Sequence, residues 1–404
     1  MLANKTIVLG ITGSIAAYKA ADLASKLTQA GANVETIMTE SATKFITPLT
    51  IRSLTHRQVV TSMWDLASEF SIEHVALAEA ADVVVIAPVT ANVIAKLAAG
   101  IADDSLTATV LATTAPVILA PAMNVNMFEN SITQENLAKL KARGFVIVEP
   151  GYGRLASGRM GKGRLAENET ILATIKMVLG RNDDLAGKRI VVTAGPTQES
   201  IDPVRYIGNR SSGKMGVAMA EAARDRGAKV TLVLGPSTLP DPVGMEVKRV
   251  VSAAEMKAAV TKATAKSDVL IMTAAVADYM PKSLAEHKIK KSVAGKELTL
   301  DLVRTPDILG EVKGNFLRVG FAAEEKKKLI EHAREELTKK KLDLVAANDI
   351  TAPDSGFGVD TNRIILATPD GKTETLPLMA KRDAADKILD KVVSLLGKKG
   401  KREV

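Results

Sequence analysis

The sequence predicts an α/β protein made of two units, each built on a mainly parallel sheet. A strand, a glycine turn, a helix and a second strand follow one another over residues 5–39, which is one βαβ unit. The same order returns at Lys188, with extra residues in the turn. Nearly unbroken runs of Val, Ile and Leu recur in each half and are typical of strands buried in a parallel sheet. The sequence pattern therefore predicts a Rossmann-like domain in each half.

A short polar segment, residues 180–187, is the predicted linker between the halves. It places the domain boundary near Asp184, so that the first domain spans residues 1–183 and the second spans residues 184–404. A length of 404 residues is enough for two such domains and for two separate activities. The basic end of the chain, residues 397–404, is predicted to be a disordered tail.

The composition excludes several classes of function. The chain is 46% hydrophobic and 3% aromatic, and its formal net charge is +8. This charge favours anionic partners, but so few aromatic residues disfavour base stacking, and no nucleic-acid partner is expected. The absence of cysteine excludes disulfides, thiolate nucleophiles and cysteine-ligated metals, and four histidines leave little for a zinc site.

The sequence also predicts no membrane partner and a cytoplasmic location. The longest apolar stretch, residues 83–102, contains Asn92 and Lys96, which would be costly in lipid. The apolar residues near the start could imitate a signal peptide, but a glycine at position 13 fits a strand-turn-helix better.

Candidate binding residues of the first half follow its apolar strands, because open parallel sheets bind ligands at the carboxyl ends of their strands. These segments are residues 13–14, 38–41, 88–92 and 121–128. Ser14 opens a helix, so backbone amides there would face a phosphate; a tight turn without a ligand is the alternative. Asn124 would stand in the same crevice as a rigidly placed donor and acceptor.

His74 is the titratable side chain of interest in the first half. It lies beside Val75 and Leu77 on a predicted amphipathic helix. A lone histidine in such a place is more often structural, and a role as a base would need partners from elsewhere in the fold. Both interpretations stay open.

A glycine-rich stretch, residues 149–167, contains two matches to G-x-G-x-x-A, the dinucleotide-binding pattern. These matches would support a rival function, an NAD-dependent dehydrogenase. We reject them because five glycines between Gly151 and Gly163 disfavour the helix that a bound pyrophosphate needs. The stretch instead predicts a mobile flap in which Arg154 and Arg159 close over an anionic substrate.

In the second half, residues 208–215 nearly match the phosphate-binding loop G-x-x-x-x-G-K-[ST]. Met215 replaces the hydroxyl that would bind magnesium, so an ordinary P-loop is not expected. The segment predicts an anion-binding glycine turn at a helix N-terminus, with Arg205, Asn209 and Lys214 nearby. A ligand-free surface loop is the alternative.

Two further segments of the second half could meet a nucleotide. Residues 273–279 end an apolar strand with small side chains, which let a planar group approach the backbone, and then present Asp278. Residues 288–291 have the sequence Lys-Ile-Lys-Lys. They are either a solvated charge run or ammonium groups that neutralise a polyphosphate.

Nine features stand in one order along the chain: GSIAAYK, His74, PAMN followed by Met127, RLASG, AGPT, DPVRYIGNRSSGKMG, AAVADY, KIKK and FAAE. Together they resemble the family of bifunctional phosphopantothenoylcysteine decarboxylases and phosphopantothenate–cysteine ligases of coenzyme A biosynthesis. The resemblance covers essentially the whole chain, and the ordered set is far more specific than any one motif.

The resemblance implies that the first domain is a flavodoxin-like flavoprotein domain with FMN as its cofactor. FMN would be held by Ser14, Ile15, Ala16, Thr39, Ser41, Thr90, Ala91, Asn92 and Ala122. His74 would be catalytic and assist proton movement, and Asn124 would hold the substrate carboxylate. A carboxylate beside a saturated carbon loses CO₂ slowly because the remaining electrons have no sink, and a flavin supplies one.

The resemblance implies that the second domain is a nucleotide-binding ligase domain, in which CTP activates 4'-phosphopantothenate as an acyl-cytidylate before the amine of cysteine attacks. Asn209 would stabilise the activated intermediate, Arg205 would lie near it, and Lys288 would balance charge on the transferred phosphate. CTP would contact Thr273, Ala274, Asp278, Lys288, Pro306, Asp307, Ile308, Leu309, Phe321 and Lys340. The triphosphate implies Mg²⁺, with ligands that the sequence does not identify. A homo-oligomer with shared flavin sites is also implied.

Two residues depart from the family pattern. Ser157 stands where the family usually has a cysteine that donates a proton in the final reduction, and a hydroxyl is a far weaker acid than a thiol of pKa about 8.5. The alternative function is therefore an active ligase whose decarboxylase half stops at the enethiol or serves as a flavin-binding scaffold. Glu336 stands where a nucleotide-contacting lysine is common, which bears on the preference for CTP; Arg334 or Lys339 could compensate.

Overall fold

The structure, a computed structural model, describes residues 2–64, 73–290, 297–324, 329–349, 354 and 358–400. The chain divides into two compact units, Met1–Leu179 and Gly180–Val404. The division falls at the first residue of the glycine-flanked segment 180–187. In these described ranges no helix is long and apolar enough to cross a membrane.

The first unit alternates strands and helices along the chain. Its strands are β1 (Thr6–Ile11), β2 (Asn33–Met38), β3 (Val59–Val60), β4 (Val83–Val89), β5 (Val117–Pro121), β6 (Val146–Ile147), β7 (Gly151–Arg154) and β8 (Met160–Arg164). Its helices are a 3₁₀ turn (Ile15–Ala17), α1 (Tyr18–Gln29), α2 (Glu40–Thr43), α3 (Pro48–Thr55), α4 (Glu73–Ala80), α5 (Ala91–Ala99), α6 (Ser105–Ala112), α7 (Val125–Glu129), α8 (Ser131–Ala142) and α9 (Asn168–Leu179).

Six of these strands form one parallel sheet in the order β3-β2-β1-β4-β5-β6. This is the Rossmann order, and without the two-residue edge strand β3 it is the flavodoxin order. All seven residues of β4 are buried, as its aliphatic run predicts. The order reverses between β1 and β4, so a crevice opens at their carboxyl ends.

The glycine-rich stretch forms a separate antiparallel hairpin of β7 and β8. Leu155 donates a backbone hydrogen bond to Arg159 at 2.8 Å, which closes the hairpin tip. Helix α9 begins only at Asn168, beyond both G-x-G-x-x-A matches. The rejection of these matches as dinucleotide-binding motifs is therefore confirmed.

The second unit repeats the alternation with more short strands. Its strands are β9 (Arg189–Ala194), β10 (Gln198–Ser200), β11 (Tyr206–Gly208), β12 (Lys229–Leu234), β13 (Glu246–Arg249), β14 (Val269–Met272), β15 (Tyr279–Pro281), β16 (Leu302–Arg304), β17 (Leu317–Glu324), β18 (Leu344–Asp349), β19 (Thr361–Asn362), β20 (Ile364–Ala367), β21 (Thr373–Thr375) and β22 (Met379–Ala380). Its helices are α10 (Lys214–Asp225), α11 (Ala253–Thr264), α12 (Ile308–Glu311), α13 (Leu329–Lys339) and α14 (Lys381–Gly400).

The main sheet of this unit has the order β13-β12-β9-β14-β17-β18-β20-β21. The first six strands are parallel and the last two are antiparallel additions at one edge. The six parallel strands follow the same spatial order as the six strands of the first sheet, with β9 in the place of β1 and β14 in the place of β4. The strand order therefore reverses between β9 and β14. The predicted mainly parallel α/β fold is confirmed in both units.

Aliphatic side chains fill both faces of each sheet. In the second unit α10 packs against α14, where Ala222, Ala223, Ala384 and Ala385 are all buried. Helix α14 continues to Gly400, so the expectation of a disordered tail was wrong for residues 397–400; residues 401–404 lie outside the described part of the chain.

Candidate functional site

The first unit contains a crevice of about 620 Å³ at the carboxyl ends of β1, β4 and β5. The strand ends contribute Gly13, Ser14, Ile15, Ala16, Thr90, Ala91, Ala122, Met123 and Asn124 to its lining. The hairpin contributes Arg154, Leu155, Ala156, Ser157, Gly163, Arg164 and Leu165, and the adjoining helices contribute Tyr18, Lys19 and Met127. Six predicted FMN residues thus meet Asn124 and Ser157 in one place.

A buried threonine joins the two strand ends that open the crevice. Thr12 Oγ1 donates to the carbonyl of Pro88 at 2.8 Å and accepts the backbone N–H of Thr90 at 3.0 Å. Thr12 is fully buried, so water does not compete for these bonds. The end of β1 is therefore fixed to the end of β4.

The turn after β1 is tightly packed at position 13. The Ser14 hydroxyl accepts the N–H of Ala16 at 3.3 Å, which caps the 3₁₀ turn. A Cβ at Gly13 would collide with the Cβ of Ser41, so only glycine fits there. Ser41 therefore packs behind the turn and is not among the residues that line the crevice.

Three predicted FMN residues lie outside the crevice lining. Thr39 caps α2 by accepting the N–H of Ala42 at 3.3 Å, Ser41 is exposed in α2, and Asn92 is exposed in α5. Their assignment to the cofactor stays a prediction. The sequence placed them correctly after strands, but helix rotation decides which side of a turn a side chain occupies.

Asn124 and Ser157 meet although they are far apart in sequence. Asn124 Nδ2 donates to Ser157 Oγ at 3.3 Å, while Asn124 Oδ1 accepts the N–H of Asn126 at 2.9 Å and caps α7. The hairpin is held against this strand end because Met123 N–H donates to Gly163 O at 2.9 Å. Gly163 has φ +148°, and a Cβ there would collide with the Met123 carbonyl.

His74 stands apart from these residues. It is half-buried in the first turn of α4 and does not occur among the described residues that line the crevice. The chain just before it, residues 65–72, lies outside the described residues. Among the described residues, His74 is therefore not one that shares the crevice lining with Asn124.

Basic side chains border the crevice. Lys19, Arg154 and Arg164 all line it. Arg164 pairs with Glu167 at 3.0 Å, and Lys19 approaches the same carboxylate at 3.5 Å. Met127 is 49% exposed at the rim. The rim thus favours an anionic ligand. Of the two arginines predicted for the flap, Arg154 lines the crevice, and Arg159 is not among the lining residues.

The crevice fits a flavin mononucleotide. Its volume lies within the range of about 300–1,000 Å³ found for cofactor pockets. Its lining combines a glycine turn that has no room for a Cβ with small and apolar side chains, which leave space for a planar ring. Lys19, Arg154 and Arg164 in the same lining supply positive charge for a phosphate.

The second unit has a smaller pocket of about 130 Å³ at the switch point of its sheet. Its lining comes from the glycine turn before α10, from the ends of β14, β17 and β18, and from the chain between β18 and α14. These residues are Ser211, Ser212, Gly213, Lys214, Met215, Gly216, Thr273, Ala274, Ala275, Phe321, Ala322, Ala323, Asn348, Gly358, Asn362 and Lys381. Thr273, Ala274 and Phe321 are the predicted nucleotide residues that it brings together.

A buried threonine again joins the strand ends. Thr193 Oγ1 accepts the N–H of Ala274 at 3.1 Å, and Thr273 Oγ1 donates to the Thr193 carbonyl. Thr193 in β9 is fully buried, like Thr12 in the first unit. The same device therefore fixes the switch point in both sheets.

Arg205 and the lysine segment at 288 are held together by one buried carboxylate. Asp202 accepts the backbone N–H groups of Val204 at 2.8 Å and Ile289 at 3.2 Å, and also pairs with the Arg205 guanidinium. Arg205 Nη2 donates in turn to Ile289 O at 3.0 Å. The hydrogen bond from Arg205, with the backbone donors, holds the pKa of Asp202 far below its ordinary value. Lys288 is exposed beside this junction.

Asn209 contacts the turn that follows β14. Its Nδ2 donates to Ala275 O at 3.1 Å and to Val276 O at 3.2 Å. The side chain therefore ties the glycine-turn segment to the predicted nucleotide-binding turn. The sequence predicted that both segments serve one site but gave no sign of this contact.

The other predicted nucleotide residues lie outside the pocket lining. Asp278 O accepts the N–H of Thr305 at 3.0 Å, which brings Asp278 beside Pro306 and Asp307. Asp307 caps α12, whose Ile308 and Leu309 side chains are buried in the core. The Ile308 and Leu309 side chains are therefore core residues, so a nucleotide contact at these two positions would involve the backbone.

Lys340 is paired with the residue that departs from the family pattern. Its Nζ lies 2.6 Å from Glu336 Oε2, and both side chains are largely buried. Glu336 therefore neutralises part of the charge that Lys340 could offer to a nucleotide. Lys291, the last residue of the basic segment, lies outside the described residues.

Several residues that line the two pockets were not predicted from the sequence. Lys381 enters the second pocket from the start of α14, and Asn348 and Asn362 enter from β18 and β19. Tyr18, Lys19 and Arg164 were missed in the first. Asn348, near the end of β18, follows an apolar run and could have been predicted because ligands bind at the carboxyl ends of strands, whereas Lys381 carries no local signal.

Over the described ranges, no group of three or more His, Asp or Glu side chains is placed to hold a metal ion. The magnesium ligands stay unassigned.

The fold and the two crevices define the class of protein. Residues 1–180 match the family described as Flavoprotein, and residues 185–396 match the DNA/pantothenate metabolism flavoprotein C-terminal domain. The chain is therefore a two-unit α/β flavoprotein of this type.

Full-length relatives narrow the class to one family. The coenzyme A biosynthesis bifunctional protein CoaBC of Bacillus subtilis (strain 168) is 48% identical over 409 residues, with 100% of each chain covered. That of Escherichia coli (strain K12) is 43% identical over 406 residues, covering 99% of this chain and 100% of the other. The chain belongs to this family of bifunctional CoaBC proteins, and the resemblance inferred from its motifs is confirmed.

Solved structures match each half separately. The C-terminal domain of a coenzyme A biosynthesis bifunctional protein CoaBC is 40% identical, covers 54% of this chain and 100% of its own, and gives a TM-score of 0.46. A PPC decarboxylase cysteine-to-serine mutant complexed with pantothenoylaminoethenethiol is 33% identical, covers 43% of this chain and 97% of its own, and gives a TM-score of 0.39.

Proposed function

We propose that this chain joins 4'-phosphopantothenate to cysteine with CTP in its second unit. Its first unit then decarboxylates the resulting phosphopantothenoylcysteine with FMN. The observation that carries the proposal is the pair of crevices at the two sheet switch points, each of which collects residues assigned to one of the two reactions. Membership of the bifunctional family supports it over the whole chain.

In the first unit FMN would be held by the turn at Ser14 and by the ends of β4 and β5 at Thr90 and Ala122. When bound, the flavin supplies the electron sink that decarboxylation needs. Asn124 would orient the substrate carboxylate through its amide, and Arg154 on the hairpin would close over an anionic part of the substrate. The hairpin would also exclude water from the crevice.

His74 would move a proton, although it lies away from the crevice of its own subunit. We therefore infer a homo-oligomer in which a neighbouring subunit completes the site. Histidine is the most common general acid and base in enzymes, which suits this role. The cytoplasmic location also stays a prediction.

In the second unit the CTP-binding pocket would be formed by Thr273, Ala274 and Phe321. Asn209, held at the turn after β14, would contact the activated acyl group. Arg205 and Lys288 would meet the phosphate charge from the junction built on Asp202. Such preorganised donors are most effective where charge develops in the transition state.

Mg²⁺ would enter with the triphosphate rather than bind to a preformed acidic cage. Magnesium is commonly held by substrate phosphates, water and one or two carboxylates. Asp278, exposed beside the pocket-lining turn, is a carboxylate within that part of the chain.

The experiment is one incubation of the full-length protein with 4'-phosphopantothenate, cysteine, CTP and Mg²⁺. We expect pyrophosphate and CO₂ in equal amounts and phosphopantetheine as the product by mass spectrometry. The purified protein should show flavin absorption bands. A colourless protein that cannot retain FMN would refute the first reaction, and nicotinamide binding would favour a dehydrogenase. No cleavage of CTP in the presence of phosphopantothenate would refute the second reaction.

Ser157 favours one second candidate, an active ligase whose first unit stops at the enethiol or acts as a flavin-binding scaffold. Its hydroxyl accepts a hydrogen bond from Asn124 and is a weak acid. The same incubation separates the possibilities, because an enethiol is lighter than phosphopantetheine by two hydrogens and a scaffold releases no CO₂.

A further inference from the structure

Two lysines from distant parts of the chain line the pocket of the second unit. Lys214 is the first residue of α10 and Lys381 is the first residue of α14. The expectation that ligands bind at the carboxyl ends of parallel strands did not predict a role for Lys381, because α14 follows the antiparallel edge of the sheet. The tertiary structure thus adds a second ammonium group to a pocket already lined by Ser211 and Ser212.

Lys381 is an unusually buried cation. Only 7% of the residue is exposed, and its Nζ donates to the carbonyl of Val359. Burial, together with the nearby charge of Lys214, lowers the pKa of Lys381 below its ordinary value. An arriving anion would stabilise this ammonium group.

The Lys214 ammonium group already has two partners in the loop at residues 358–360. Its Nζ donates to Gly358 O at 3.0 Å and pairs with Asp360 Oδ1 at 2.7 Å. The Asp360 side chain is 86% exposed, so its carboxylate reaches Lys214 from the solvent side. Lys214 in turn lowers the pKa of Asp360.

Among the described residues, this cluster brings two ammonium groups and the Asp360 carboxylate together. Lys381 also holds the loop through its backbone N–H, which donates to Asp360 O at 2.9 Å. Burial and Lys214 lower the pKa of Lys381, whereas Asp360 raises it. The two ammonium groups thus line the pocket together, with the exposed Asp360 carboxylate paired to Lys214.

We propose that Lys214 and Lys381 bind the polyphosphate of the nucleotide, and that Asp360 is an internal carboxylate which a phosphate displaces from Lys214. The proposal rests on the nucleotide-binding function proposed above and assigns phosphate-binding side chains to it. Phosphate oxygens are stronger partners for an ammonium group than an exposed carboxylate, because both lysines can share them inside the pocket.

The test measures binding of inorganic tripolyphosphate to the full-length protein by calorimetry at fixed ionic strength. Lys214→Met and Lys381→Met should each weaken binding by about ten- to hundredfold, the range for loss of a charge-assisted hydrogen bond. Asp360→Asn should tighten binding about two- to fivefold, since it removes an exposed competitor. Lys387→Met, an exposed lysine on the same helix, should bind tripolyphosphate as the parent protein does.

The opposite direction of the Asp360→Asn effect separates phosphate binding from a structural role. If the lysines only anchored the loop at 358–360, loss of Asp360 would leave binding unchanged or weaken it. If Lys381→Met does not fold, judged by circular dichroism, Lys214→Met and Asp360→Asn decide the matter. Unchanged affinity in both lysine variants, or no tripolyphosphate binding by the parent protein, would overturn the proposal.

These outcomes are distinguishable from failure of the proposed function. A protein that turns over CTP normally but shows equal tripolyphosphate affinity in all variants retains its function and loses only this inference. A protein that cleaves no CTP, yet binds tripolyphosphate through these lysines, loses the proposed reaction and keeps the phosphate site.

Discussion

Asn124 donates a hydrogen bond to Ser157 at 3.3 Å and so joins the end of β5 to the tip of the glycine hairpin. Both residues line the crevice of the first unit. Ser157 therefore occupies a position from which a side chain can reach a substrate held by Asn124. The resemblance implied a cysteine at this position, so a testable question is whether the weaker acid, the Ser157 hydroxyl, can donate the same proton.

Changing Ser157→Cys should raise the rate of the final reduction at least about tenfold, since general acids contribute about 10²–10⁴ to such steps. A thiol has a pKa of about 8.5 and can donate where a hydroxyl does not. Mass spectrometry after a single turnover measures the ratio of enethiol to phosphopantetheine. Ser157→Ala is the matched control and should match the parent ratio. Equal ratios in all three proteins would mean that the proton does not pass through this position.

His74→Asn should retain bound flavin and lose at least about 10²-fold in the rate of CO₂ release, because an amide cannot transfer the proton. Flavin absorbance and CO₂ release measure the two effects. If neighbouring subunits share sites, mixing His74→Asn with Asn124→Ala subunits after gentle dissociation should restore activity that neither variant has alone. An unimpaired His74→Asn protein would assign this histidine a structural role.

Asn209→Ala should slow amide formation while still releasing pyrophosphate from CTP. The amide group is held at the turn after β14, where it would contact the activated acyl group, and loss of one such donor costs about 10²–10³ in rate. Separate assays of pyrophosphate and of phosphopantothenoylcysteine measure the two steps. Asn126→Ala, which changes an exposed asparagine of the first unit, is the control. Cysteine coupling at the parent rate would exclude the proposed role.

Asp225→Ala should destabilise the second unit by about 3–5 kcal/mol, because it removes the buried carboxylate that pairs with both Arg224 and Arg382. Asp225 is fully buried and accepts from Arg224 Nε at 2.9 Å and from Arg382 Nη1 at 2.7 Å. Calorimetry should show one unfolding transition lowered by about 10 °C or more, with the other unchanged. Asp383→Ala, an exposed aspartate on α14, is the control. An unshifted transition would show that the network contributes little.

Asp202→Asn should lower the melting temperature at pH 7, and the difference from the parent protein should shrink as the pH falls below about 4. The pKa of Asp202 is lowered on folding, chiefly by Arg205, from an ordinary value of 3.8. The folded state therefore binds this proton less readily than the unfolded state, so the stabilisation is complete above that value and is lost as acid is added. Melting curves between pH 3 and 7 measure it, with Asp301→Asn as an exposed control. A difference independent of pH would contradict this assignment.

Much of each crevice could be predicted because strand ends are a local property of the sequence. Ser14, Thr90, Ala122 and Asn124 follow aliphatic runs, and all four line the first crevice. Thr39, Ser41 and Asn92 obey the same rule but lie outside the lining. The rule gives the correct edge of the sheet, and the rotation of the following helix decides which side chain faces the crevice.

The two parallel sheets, their glycine turns and the non-helical hairpin were determined by the sequence, because hydrophobic period and glycine content act over a few residues. The tertiary structure decided which distant side chains share a pocket: Ser157 with Asn124, and Lys381 with Lys214. His74 is not among the described residues that line the first crevice. Such pairings depend on the packing of whole helices and strands, which no local period of residue types encodes.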